Sequence, residues 1–171
     1  METKVTTPVV KGLIISMILI VIGLAIYFSG QMANKSLGYL QYLILLGGVI
    51  WACINYAKQL NHNVTFGNVF AHGFKTTAVV TVITIVYTVL AFKVLFPEMQ
   101  DVLIRQAELE MEKQSLSDDQ REQAIGMVRN YMVPFAIGGV LFFFMVIGLI
   151  GSLIGAAAAK KHPQDPFQQP L

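Results

Sequence analysis

The sequence predicts an all-α integral membrane protein, a four-helix bundle with a water-exposed helical hairpin between its third and fourth spans. Three observations predict it. Of the 171 residues, 55% are hydrophobic and 13% charged, whereas a soluble domain carries about 25% charged residues. Four long runs contain no charge at all. Eight of the ten acidic residues fall in a single stretch between the third run and the fourth. The length suits one domain, here residues 1–161. Residues 162–171, with Pro163, Pro166 and Pro170, are expected to form a disordered tail.

The first run covers residues 12–31. At about 1.5 Å per residue it spans the ~30 Å hydrocarbon core. Lys4 and Lys11 ahead of it resemble the basic start of a signal peptide. The run exceeds the ~7–15 apolar residues such a segment uses, and no A-x-A-like site follows, so a retained span is expected. The second span, about 38–57, lies between Lys35 and Lys58. Tyr39, Tyr42 and Tyr56 near its ends read as interface anchors.

The third run, between Lys75 and Lys93, has only seventeen residues. Thr65 is placed to cap a helix that starts at Phe66, and Pro97 disfavours helix at Phe96. The span is set at about 70–96, with Lys75 and Lys93 snorkelling to opposite headgroup layers. The fourth run, residues 131–159, gives a span of about 133–159. Pro134 sits in its first turns, and should kink the helix if the preceding one is continuous with it. No run contains an interior Asp, Glu, Lys, Arg or His. That argues against a proton-coupled pump and leaves a passive pore open.

The hairpin is expected over residues 97–130. Pro97 suits a first helical position, and Glu98 and Asp101 then face the positive end of the dipole. Residues 115–117 break the pattern, and Ser117 with Gln120 spells a capping box for a second helix. This insert reads as a solvated connector or as a surface for a protein partner. A catalytic role is disfavoured. Paired carboxylates do acid–base work only when their environments split their pKa values, and here acids alternate with Arg105, Lys113, Arg121 and Arg129 on wet faces.

Orientation rests on Lys and Arg near span ends. Six lie on the side of the termini and six on the side of the hairpin. The first six crowd closer to the span ends, so both termini are expected in the cytoplasm.

Two constellations stand out within the spans. Gly148, Gly151, Ser152 and Gly155 form a small-residue face on span four, suited to helix packing inside the chain or to a homo-oligomer seam. Thr77, Thr81, Thr84 and Thr88 share one face of span three, suited to inter-helix packing or to a polar pore or ligand lining. His62 and His72 are ten residues apart, in the stretch read as the loop before span three, with no third ligand nearby. No metal site, no cofactor and no catalytic residue is expected. A net charge of +2 gives no nucleic-acid footprint.

The stretch Thr65-Phe-Gly-Asn-Val-Phe-Ala-His-Gly-Phe74 resembles the signature of a bacterial family of four-span membrane proteins, domain of unknown function 4199, common in Bacteroidota. The order of elements is similar too: two spans, the signature, a span ending in Phe-Pro, a charged insert, and a Gly-rich span closing on Lys160-Lys161. The resemblance implies a bacterial inner-membrane location and supplies no activity. Taken together, the expected function is that of a structural, accessory or partner-docking membrane protein, not an enzyme. The alternative is an oligomeric passive channel or small-molecule transporter. Candidate partners are the lipid bilayer, further copies of the chain, and a protein at the 97–130 hairpin.

Overall fold

The computed structural model describes residues 5–31, 34–113 and 117–159. Its elements are α1 (Pro8–Phe28), α2 (Lys35–Gln59), α3 (Phe66–Leu90), a π-helical turn (Ala91–Leu95), α4 (Glu98–Glu112) and α5 (Asp118–Ala158). The expected tail, residues 162–171, lies outside the described residues, as do Lys160 and Lys161.

Helices α1, α2, α3 with its π turn, and α5 are each long and apolar enough to cross a membrane. Only 11–28% of their most apolar windows is buried inside the chain. The remaining apolar side chains point outward; Met17 is 60% exposed and Phe142 64%. A surface of that kind is unfavourable in water and matched by lipid. The chain is an all-helical membrane bundle.

Contacts at the helix ends fix an up-down-up-down order. Thr6, just before α1, exchanges two hydrogen bonds with Gln59 at the end of α2: its N–H donates to Oε1 at 2.9 Å, and Nε2 donates to its Oγ1 at 2.7 Å. Tyr56 of α2 stacks on His72 of α3. Ala156 and Ala159 at the end of α5 pack with Cys53, Ala57, Val64 and Val69. The starts of α1 and α3 and the ends of α2 and α5 therefore share one end of the bundle.

Local chemistry explains the boundaries. Helix α1 begins four residues before the charge-free run because Thr7 accepts from the Val10 N–H and Pro8 occupies the first turn. It stops at Phe28 because Gly30 takes φ 69°, which lets Gly30 N–H reach Tyr27 O and Gln31 N–H reach Ile26 O. Asn61, at φ 51°, plays the same part after α2: its N–H reaches Lys58 O, and His62 N–H reaches Ala57 O. The Thr65 cap and the Ser117–Gln120 capping box both form.

Pro97 shapes the exit from α3. The last turn widens to π, with Phe96 N–H bonded to Ala91 O at 2.8 Å. The next bond of that pattern needs an N–H at position 97, which proline lacks. The Gln100 side-chain amide fills the gap, donating to Phe92 O at 2.8 Å. Tyr27 at the end of α1 donates to Glu98 Oε1 at 2.9 Å and packs on Phe96, which ties the start of α4 to the bundle.

Helix α4 packs against α5. The fourth span is not a separate element: α5 runs 41 residues without interruption and carries Pro134 inside it. At 1.5 Å per residue it is about 60 Å long.

Candidate functional site

The threonine face of α3 divides in two. Thr77 and Thr81 are buried, and their hydroxyls donate to their own helix, at Gly73 O (3.1 Å) and Thr77 O (2.9 Å). Such back-bonding satisfies a hydroxyl where no water reaches it. Thr77 fits against Gly148 of α5, where a Cβ would collide with its side chain. Further along, Thr88 donates to Thr84 O at 2.8 Å. Thr84 differs from all of these. Its Oγ1 is buried and has no hydrogen-bond partner among the described residues.

Thr84 and Thr88 line a half-open cavity of about 340 Å³ between α1, α2, α3 and α5. Leu19, Val140, Phe144 and Met99 give it apolar walls, and the π turn contributes Ala91 and Phe92. Gln41, Tyr42 and Tyr87 line the same space. A largely apolar lining with a few polar groups, at this volume, is the usual form of a small-molecule site. The backbone is close on two sides: Gly23 and Gly38 both line the cavity, and a Cβ at Gly38 would meet nothing within 4 Å.

The small-residue face of α5 turns into the bundle. A Cβ at Gly151 would sit 3.3 Å from Val49, and one at Gly155 would sit 2.6 Å from Cys53 Cβ. Ser152 donates to Gly148 O at 2.7 Å and faces Gly73 of α3, where a Cβ would lie 2.8 Å from Ser152 Oγ. The structure therefore places Gly148, Gly151, Ser152 and Gly155 against α2 and α3 of the same chain. It brings them beside Thr77, and not beside Thr84 or Thr88.

A second polar cluster escaped sequence reasoning. The charge-free run leaves Lys11 ahead of span one, and His72 falls in the stretch read as a loop although the helix capped by Thr65 already contains it. Because α1 starts at Pro8 and α3 at Phe66, both lie inside helices. Lys11 is 0% exposed and His72 6%, so two ionisable side chains just outside the charge-free runs are enclosed by the bundle. Lys11 Nζ donates to Ala52 O at 3.1 Å and lies 5.8 Å from the centroid of the Tyr56 ring. That ring stacks on His72 at 4.1 Å. The Thr7-Pro8 pair was the readable signal, a cap followed by a first-turn proline three residues ahead of Lys11. Among the described residues no three His, Cys, Asp or Glu side chains group closely enough to hold a metal ion.

Alternating apolar helices around a closed glycine seam define the class, a multi-pass all-helical membrane protein. Within it the chain belongs to the family described as Protein of unknown function (DUF4199), whose profile matches residues 11–161. That is the family the 65–74 stretch resembles. No curated protein and no solved structure matches the chain.

Proposed function

We propose that this chain is a non-catalytic accessory protein of the bacterial inner membrane that holds a lipid-like ligand, an apolar chain with one hydroxyl or carbonyl, in the cavity between α1, α2, α3 and α5. The observation that carries this reading is the Thr84 hydroxyl, buried without a partner in the wall of an otherwise mostly apolar space. An unpaired buried donor costs about 1–3 kcal/mol, and a ligand oxygen offsets that cost. The cavity is walled by the four spanning helices, which suits an apolar ligand drawn from the bilayer.

The rest of the reading follows from length and charge. Helix α5 is about twice as long as the ~30 Å hydrocarbon core is thick. Its charged first part, with α4 packed against it, then stands in water as the surface where a protein partner docks. The opposite end carries the exposed Lys58 and Lys75 and faces the cytoplasm under the positive-inside rule.

The test uses the full chain in nanodiscs and a photoactivatable C16 fatty alcohol as probe. Crosslinks are expected in the segments that line the cavity. Gly38→Leu fills open space and is expected to abolish them while the protein remains folded. Thr84→Val, which removes only the hydroxyl, is expected to weaken labelling about fivefold. Equal labelling of wild type and Gly38→Leu overturns the proposal.

A further inference from the structure

At the other end of the bundle, away from the cavity, a second pocket of about 330 Å³ opens where α1 and α3 begin. Its wall is the segment from Val5 to Pro8, and its floor is formed by Tyr56, Asn68, Ala71 and His72, with Lys75 at the rim. The wall is fixed in place, since Thr6 is held by Gln59 through the two reciprocal bonds described above.

Three features give this pocket a positive character, with no acidic side chain among the described residues of α1, α2 and α3 to balance it. The first is composition: no Asp or Glu occurs between Glu2 and Glu98. Helices α1, α2 and α3 therefore contain no acidic side chain that might pair with Lys11 or Lys75. The second is burial. Lys11 is fully enclosed, and its ammonium donates to a backbone carbonyl, Ala52 O. An enclosed ammonium without a counter-charge is costly in a low dielectric. The third is orientation. Helix α1 begins at the pocket wall, so the positive end of its dipole points there.

His72 supplies a specific contact. Its side chain is more than nine-tenths buried and lines the pocket, and its Nε2 has no hydrogen-bond partner among the described residues. Stacking on Tyr56 holds the ring in one plane. The imidazole, the Asn68 amide and the Lys75 ammonium are the donor-bearing side chains that line this space.

We propose that this pocket is a binding site for a phosphate group, with His72, Asn68 and Lys75 as the contacting residues and Lys11 as the enclosed charge that draws the anion in. The site lies where the helices enter the headgroup layer. Its phosphate comes either from an anionic lipid headgroup or from free phosphate in solution, and basic pockets between spanning helices are suited to the former. The proposal stands apart from the cavity reading, because the two sites share no lining residue.

The experiment is native mass spectrometry of the full chain released from detergent, titrated separately with phosphatidylglycerol, phosphatidylcholine and inorganic phosphate. Variants Lys75→Gln and His72→Phe are run in parallel. Lys75 is exposed, so its substitution leaves packing untouched, and His72→Phe preserves the stack on Tyr56. Phosphatidylglycerol is expected to bind over phosphatidylcholine, and each variant is expected to weaken it about fivefold. Retention of phosphatidylglycerol that millimolar inorganic phosphate does not displace assigns the site to a lipid headgroup. Displacement, or direct saturation by inorganic phosphate, assigns it to the free anion. Equal binding of both lipids with no binding of phosphate overturns the proposal, as does anion binding that neither variant changes.

Discussion

The two ends of this bundle use the same residue type to opposite effect. At the end where α5 finishes, glycines are contact points: a Cβ at Gly73, Gly148 or Gly155 would run into Cys53, Ser152 or Thr77. Toward α4, glycines face space: a Cβ at Gly38, Gly138 or Gly139 would meet nothing within 4 Å. At the first end the seam of α5 with α2 and α3 is closed, and at the second the helices stand apart around a cavity. Lipid provides no hydrophobic force between helices, so close backbone approach and matched small residues decide where they adhere. A glycine count along a span does not reveal which of the two situations holds.

The contrast is broken most severely by Gly155→Ile. Its side chain enters the Cys53 contact, and the expected loss is about 3 kcal/mol, read as a lowered unfolding temperature in detergent. Light scattering should show unchanged mass, since the face is filled within the chain. A drop in mass with unchanged stability would move the seam to a contact between copies. Next in size is Lys11→Met, which keeps most of the side chain and removes the enclosed charge. It is expected to raise stability by about 2 kcal/mol while weakening phosphate binding, so thermal unfolding and lipid titration should move in opposite senses. Thr84→Val and Thr77→Val then compare the two ends directly. The first removes an unpartnered hydroxyl and is expected to stabilise by about 1 kcal/mol; the second removes a back-bonded one and is expected to cost about as much. Chemical unfolding of both variants reads the difference. Smallest is Gly38→Ala, which adds a methyl to open space on a helix and should gain about 0.5 kcal/mol, the reverse of the effect at Gly155.

The spans were legible in the sequence because lipid-facing helices must be apolar all round, and a run without charge shows that directly. The caps at Thr65 and Ser117 were legible because each depends on a residue and its neighbours three positions away. The start of α1 was not seen, because Thr7 and Pro8 sit in a polar prefix and the charge at Lys11 masked the helix behind them. Spacing puts four threonines on one face, and it has no means of dividing them. Whether Thr77 meets Gly148, or Thr84 meets a cavity, depends on the helix that arrives opposite. The cavity itself left no mark, since missing volume belongs to no single residue. The Tyr56–His72–Lys11 cluster depends on three helices at once, at separations the chain order does not encode.

The unbroken course of α5 has a consequence for rotational phase. Its charged first part and its glycine seam are two stretches of one helix, so the direction each faces is locked to the other at about 100° per residue. The seam is pinned by Gly148 against Thr77 and Gly155 against Cys53. A single residue inserted between Met132 and Val140 would leave that end seated and swing the acidic end through more than a quarter turn, taking Met132 out of its buried position and α5 out of register with α4. An insertion of four residues lengthens the rod by about 6 Å and restores the phase to within about 40°. The bearing of the outer helices is thus set by the number of residues between two fixed faces, much as the pitch of a shaft sets the angle of whatever is mounted at its far end.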